Sequence, residues 1–258
     1  LKPIFNLDAI TYAYPQSEPV LKDLSLTVGE GEKLSILGAN GCGKSTLLKI
    51  LAGLIFPQSG TMTAFGGKID PKRFAGDAAA DYHRRVGFIF QDSEVQLFCS
   101  TVYEELAFGP LQLGLSRETV KQRIEELAGL LGIEKLLYST PFKLSGGEKK
   151  KVAIGSVLIL NPDVLILDEP TNSLDPRSQT WLLNLLQSLG EAGKTLIFAT
   201  HNLDLVPQVS DRAILFGEDH AVAADRPVEE LLKDAELLKR VNLVDGHYHT
   251  HEWDFKKR

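Results

Sequence analysis

Long hydrophobic runs are missing from this chain. No apolar stretch approaches the ~18 residues needed to span a bilayer as a helix, so the sequence predicts no membrane-crossing segment. The first residues, LKPIFNLDAITYAYP, carry an acid and prolines and lack a signal-peptide core. Cysteine is scarce. Cys42 and Cys99 alone exclude a disulfide framework and point to a reducing cytoplasm. Basic charge is also short: 28 Lys and Arg stand against 34 Asp and Glu, for a net charge of −6. A protein that neutralises many nucleic-acid phosphates usually shows a basic face, and the one compact basic run here is Lys149–Lys151. Repeats and low-complexity segments are absent too. What remains is an ordinary globular composition, 43% hydrophobic and 24% charged. Its 258 residues suit one large domain, or one domain with a subdomain.

Against this background one stretch stands out. Gly38–Thr46 reads GANGCGKST and fits G-x-x-x-x-G-K-[ST]. A phosphate chain needs backbone N–H groups turned inward, and glycines let the main chain bend and approach closely. Lys44 adds a point charge for the β- and γ-phosphates, and the Ser45 hydroxyl can ligate Mg²⁺. Lys33–Leu37 reads as a buried strand entering the loop. Ser45–Ala52 reads as a helix leaving it, with its positive dipole end toward the phosphates. A glycine-rich turn alone would not require Lys-Ser at its end. Cys42 reads as a small filler, not a nucleophile, because no His stands beside it in sequence.

The segments around the loop predict a sheet. Ile10–Tyr14 and Leu24–Val28 read as strands joined by the loop Pro15–Pro19. Tyr14 could stack on a purine ring or be an ordinary strand aromatic. Gly60–Gly66 reads as a further strand, and Asp70–Asp81 as an exposed loop or short helix. Val86–Phe90 is an apolar strand ending in Gln91, at the edge where ligands sit in open α/β sheets. Residues 92–158 then read as a helical insertion. Val102–Ala107 is one helix. Ser116–Leu131 is another, with Ser116 as N-cap and Val120, Ile124, Leu127 and Leu131 on one face. Leu144–Glu148, LSGGE, opens a third helix through Leu158. Glycines at a helix start suit an anion, although flexible helix entry alone also explains them.

The next two strands carry carboxylates and a histidine. Asp163–Leu167 reads as a central parallel strand buried on both faces, delivering Asp168 and Glu169 to its C-terminal end. Asp168 can hold Mg²⁺, and Glu169 can polarise an attacking water. After the turn Ser173–Pro176 and a helix over Trp181–Leu189, Thr195–Ala199 is another buried strand, ending in Thr200 and His201. A His on the same sheet edge as a carboxylate pair reads as functional. Arg212–Phe216 reads as the last strand and Pro227–Leu238 as the last amphipathic helix.

Taken together, these residues resemble the ATP-binding cassette (ABC) ATPases over about residues 5–216. The markers stand in order: GANGCGKST, the Gln91 strand end, LSGGE, LILDEP, SLD and His201. LSGGE discriminates, since kinases and GTPases share the phosphate loop without it. The resemblance implies a P-loop NTPase core with a mostly parallel sheet, an N-terminal antiparallel β subdomain and an inserted helical subdomain (about 92–158). It implies an ATPase domain over 1–216 and a short C-terminal extension over 217–258. ATP and Mg²⁺ are the implied cofactors. Tyr14 is assigned to adenine, and Asn40, Gly41, Cys42, Gly43, Lys44, Ser45 and Thr46 to the phosphates. Ser45, Gln91 and Asp168 are assigned to Mg²⁺. Glu169 becomes the general base, with His201, Gln91 and Lys44 beside it in catalysis. Ser145, Gly146 and Gly147 are expected to close over ATP bound by a second cassette subunit, so a homo- or heterodimer with two composite sites is implied. Lys149–Lys151 then belongs to the signature helix and need not contact nucleic acid.

A narrower resemblance follows from FQDSEVQLF (Phe90–Phe98), TVYEELAFGP (Thr101–Pro110) and LSGGEKKKVAI. These are similar to the ATPases of energy-coupling-factor importers, most of all the cobalt/nickel type. The implied partners are a transmembrane scaffold, reached through the loop after Gln91, and a substrate-binding membrane component. The implied location is the cytoplasmic face of the cell membrane. Leu97 and Phe98 are expected to form a groove for the scaffold, or else local core. Ser173 departs from the Gly many relatives carry there. The tail residues His247, His249 and His251 read either as metal ligands or as incidental histidines. Competing readings are a soluble cassette acting on nucleic acid or ribosomes, a vitamin importer and a non-hydrolysing regulator. The single cassette, the short spacing between Gln91 and LSGGE, and the presence of Glu169 with His201 argue for an importer ATPase.

Overall fold

The computed structural model describes residues 1–244, so the expectation for His247, His249 and His251 lies outside the described residues. In chain order the first elements are β1 (Pro3–Ala13), β2 (Pro19–Gly29), β3 (Lys33–Leu37), α1 (Lys44–Leu51), β4 (Ser59–Ala64) and β5 (Gly67–Lys68). Then come α2 (Asp77–Arg85), β6 (Val86–Ile89), α3 (Val102–Gln112), α4 (Arg117–Leu131) and α5 (Gly146–Leu158). The chain continues through β7 (Val164–Asp168), α6 (Pro176–Glu191), β8 (Thr195–Ala199), α7 (Val206–Val209), β9 (Arg212–Phe216), β10 (Val222–Pro227), α8 (Val228–Lys233) and α9 (Ala235–Arg240).

Two sheets carry the site. One is antiparallel, ordered β2-β1-β4-β5. The other runs β10-β9-β3-β8-β7-β6, parallel throughout except for the edge pair β9–β10. Strands β7 and β8 are buried along their whole length, which explains their unbroken apolar runs. Their C-terminal ends, with that of β3, open at one edge, where a parallel sheet offers its binding crevice. The sheets are fastened by Arg212. Its guanidinium donates to the Thr27 carbonyl (3.0 Å), to Glu32 (2.8 Å) and to Asp225 (2.5 and 2.6 Å).

Helices α3, α4 and α5 share an apolar cluster of their own, which includes Val102, Leu106, Val120, Ile124, Leu131 and Val152. Each helix start is capped: Thr101 and Ser145 form capping boxes with Glu104 and Glu148, and Ser116 accepts from the Thr119 N–H. Helix α3 continues past Ala107 through Pro110 to Gln112.

Several expectations need correction. Arg212–Phe216 is not the last strand, because β10 pairs with it through a turn closed by the Gly217 N–H on the Ala221 carbonyl (2.9 Å). The sequence VAADRP hid this strand, since Ala, Asp and Pro are poor strand formers. Pro227–Leu238 is two helices. Asp234 ends α8 and caps α9 by accepting from the Leu237 N–H (3.0 Å). The polar segment over 70–81 becomes helical from Asp77, and that helix runs on to Arg85.

Candidate functional site

The phosphate loop joins β3 to α1. Gly38, Gly41 and Gly43 take φ of 149°, 84° and 112°. A Cβ on Gly43 would fall 2.4 Å from the Val20 carbonyl oxygen, and one on Gly38 would fall 2.6 Å from Cys42 Sγ. Neither place admits a side chain, so the cradle shape depends on those glycines. Lys44 lies under the loop, donating from Nζ to the Gly38 and Ala39 carbonyls at 2.7 and 3.0 Å. Cys42 is buried, and burial raises its thiol pKa, which suits a filler. A histidine does approach it in space. His220 Nδ1 lies 3.3 Å from the Cys42 carbonyl, not the thiol.

Strand β7 delivers Asp168 and Glu169, which are only 6% and 5% exposed. Glu169 sits at φ 43°, a left-handed conformation that costs an L-residue about 1–2 kcal/mol. Its N–H donates to the Ala199 carbonyl (3.0 Å), and its Oε1 lies 2.9 Å from His201 Nδ1. Asp168 Oδ1 and Glu169 Oε2 are buried without a hydrogen-bond partner among the described residues. Buried unpaired carboxylate oxygens are costly, and hard oxygen donors of this kind suit Mg²⁺. The donor set therefore fits that ion.

A cleft of about 400 Å³ gathers Tyr14, Asn40, Gly41, Gly43, Lys44, Ser45, Thr46, Gln91, Glu169 and His201. Asp168 lies buried at the end of β7, and Cys42 lines a neighbouring cleft with Asn40, Gly41 and His201. Tyr14 is held by its hydroxyl against Thr46 Oγ1 (3.2 Å) and meets the Tyr12 ring edge-on at 5.1 Å. Ser145, Gly146 and Gly147 do not join this cleft. They open α5, where the Ser145 N–H donates to Glu148 (2.9 Å). The Ser145 hydroxyl, donating to Glu148 at 2.7 Å, and then this N–H hold the Glu148 carboxyl below its usual range. Gly146 lines a different cleft with Gln91, Lys150 and Asn172, while a Cβ on Gly147 would fall 2.3 Å from Ser178 Oγ.

The loop after Gln91 divides between the two expectations for it. Leu97 is buried (4% exposed) in the helical cluster and is local core, whereas Val95 (71%) and Phe98 (60%) face outward. Phe98 packs edge-on against Phe108 at 4.9 Å. Glu105, buried at 3%, holds this loop by accepting from the Phe98 and Cys99 N–H groups at 2.9 and 2.7 Å. The sequence did not single out Glu105 or Asn172. Its place in the sequence is one signal that could have found Glu105: it stands three residues after Val102 and next to Leu106, on the apolar face of α3, where an acid needs a partner.

A family model described as ABC transporter matches residues 21–172. The chain belongs to the ABC transporter family, and it is an ATP-binding ATPase of that family. Curated relatives include a putative ABC transporter ATP-binding protein of Methanosarcina acetivorans, 52% identical over 96% of this chain and 91% of its own length. The nickel import ATP-binding protein NikO of Rhodobacter capsulatus is 46% identical over 95% of this chain and 98% of its own. Among solved structures, cbiO1 of Clostridium perfringens, part of the ABC transporter complex cbiONQ, superposes with a TM-score of 0.81 at 34% identity, covering 94% of this chain and 96% of its own. The ATP-binding cassette MJ0796, a dimer in a post-hydrolysis state bound to ADP and Pi, gives 0.77 at 28% identity, covering 87% and 98%. The fold is thus a P-loop NTPase fold. Among the described residues no helix is long and apolar enough to cross a membrane.

Proposed function

We propose that the chain is the ATP-hydrolysing subunit of an energy-coupling-factor importer for nickel or cobalt ions, working at the cytoplasmic face of the cell membrane. The observation that carries the hydrolytic part is the pairing of His201 with a buried Glu169 whose second oxygen has no partner among the described residues, at the mouth of a glycine-built phosphate loop. The relatives' names and the cbiO1 fold support the importer and its cargo.

Residues 1–216 act as the ATPase domain, with a helical part over about 92–158, and 217–258 form the extension. Tyr14 stacks on the adenine. The loop amides from Asn40 to Thr46 and the Lys44 ammonium bind the phosphate chain. Ser45, Gln91 and Asp168 would hold Mg²⁺, which when bound neutralises charge developing on the β- and γ-oxygens. Glu169 takes the proton of the attacking water. His201 fixes the Glu169 carboxylate and reaches toward the γ-phosphate. Ser145, Gly146 and Gly147 lie outside this cleft, so they serve the nucleotide held by a second cassette subunit. The surface around Val95 and Phe98 meets the membrane scaffold, which also carries the substrate-binding component. Nucleic acid is not a partner.

The test is reconstitution of the chain with its membrane partners in vesicles, with nickel or cobalt uptake followed under MgATP. ATP-dependent uptake is expected, and it should vanish with Glu169→Gln. ATP turnover with no movement of either metal would refute the cargo. Calorimetric titration of Ni²⁺ into the full chain and into a chain ending at Val244 settles the role of His247, His249 and His251, since equal affinities remove the tail as a metal site.

A further inference from the structure

Lys150 is 2% exposed, on helix α5 one turn beyond Gly146 and Gly147. Its Nζ donates to the carbonyls of Phe90 (3.2 Å) and Gln91 (3.0 Å). A buried ammonium is expensive, and this one has main-chain carbonyls for its hydrogen bonds. Burial draws its pKa down to about 8, with Asp92 and Asp168 opposing the shift. An apolar side chain would fill a core position without that penalty, so packing alone does not account for a lysine.

The neighbouring contacts run the same way. Lys149 pairs with Glu94. Gln96 donates from Nε2 to the Ala153 carbonyl (2.7 Å) and to Ser156 Oγ (3.2 Å), while its Oε1 accepts from the Phe90 N–H (3.3 Å). Residues 90–96 are therefore fastened to α5 at three levels, and Lys150 is the buried fastening nearest the strand end. Gln91 in turn lines both the phosphate cleft and the cleft that holds Gly146.

We propose that Lys150 is a positioning residue that ties the signature helix to Gln91, so that ATP closed under one subunit's signature sets the place of Gln91 in that subunit's own phosphate cleft. This rests on the composite-site reading given above. A helix is a stiff rod, and a displacement of its first turn reaches Lys150 undiminished. Through the Gln91 carbonyl it then reaches the side chain assigned to Mg²⁺. The two ATP sites of a dimer are thereby coupled in both directions.

The test uses the full chain with MgATP. Lys150→Met keeps the length and removes the donors. Lys150→Gln is polar but too short to span both carbonyls. Lys150→Arg restores donors. Turnover against MgATP concentration, equilibrium binding of a fluorescent ATP analogue and thermal melting are measured for each. The wild type should show a Hill coefficient above 1 and up to about 2 for two sites. The Met and Gln variants should bind the analogue within about twofold of wild type, lose about 10²-fold in kcat and fall to a Hill coefficient near 1. Arg should recover both. A folded Met or Gln variant with native kcat and Hill coefficient, or an Arg variant no better than those two, would overturn the role of Lys150 and leave the composite site standing. A wild-type Hill coefficient of 1 would overturn the coupling, whereas failure of the Glu169→Gln chain to dimerise with MgATP would overturn the composite site itself.

Discussion

Replacing Glu169 by Gln separates chemistry from stability. The amide keeps the shape of the side chain and can still meet His201 Nδ1, which lies 2.9 Å from Oε1. What changes is Oε2, a buried oxygen that, like Asp168 Oδ1, has no hydrogen-bond partner among the described residues. An unpaired buried polar group costs about 1–3 kcal/mol, and more if charged. The neutral amide keeps the first part of that cost and loses the charged excess, about 1 kcal/mol or more. The His201 ring is about half exposed (49%), so solvent competes for its contact with Glu169, and the loss there is below about 1 kcal/mol. At about 2–4 °C per kcal/mol for a chain of this size, the difference between the two terms places the nucleotide-free variant between the wild-type melting temperature and about 2–4 °C above it. Its turnover should fall by ~10²–10⁴-fold, the usual effect of removing a positioned base. Calorimetry without nucleotide and a phosphate-release assay read the two quantities. Near wild-type turnover would refute Glu169 as the base, and a lowered melting temperature would refute the account of its unpaired oxygen.

Three further outcomes are expected. Val95→Asp should leave the melting temperature unchanged and abolish co-purification with the scaffold, whereas Leu97→Asp should unfold the helical part, since truncating a buried Leu already costs about 2–5 kcal/mol; equal melting of the two variants contradicts the burial difference. Ser145→Arg should block the MgATP-driven dimer that Glu169→Gln forms in sedimentation, and a dimer that persists argues against a composite site. Ser173 lies exposed at φ 61°, so Ser173→Gly should relieve about 1–2 kcal/mol of left-handed strain against a glycine entropy penalty of about 0.5–1 kcal/mol; denaturation that shows net destabilisation would exclude strain at that turn.

Much of the parallel sheet was legible because its strands are buried on both faces, so VLILD and TLIFA need no alternation to be read. The phosphate loop was legible because its glycines answer to backbone geometry, which a sequence displays directly. Strand β10 was not, because pairing with β9 overrides its weak propensity. The break at Asp234 was missed for a related reason. Its apolar spacing runs on smoothly from α8 to α9, and only the side-chain cap on Leu237 divides them. At the site, Leu97 and Phe98 are adjacent and equally apolar, yet one enters the helical core and the other faces out. That division is made by Glu105 from another element, and nothing local to the loop announces it.

The Glu105 clamp also has a chemical consequence. The carboxylate that accepts the Phe98 and Cys99 N–H groups stands beside the Cys99 thiol. Burial and that negative charge push its pKa to about 11. At pH 7 only about one molecule in 10⁴ then carries the thiolate. The thiolate is the form that oxidants attack and that soft metal ions bind. Cys99 is thus kept, at neutral pH, in the protonated form that neither oxidises readily nor binds soft metal ions.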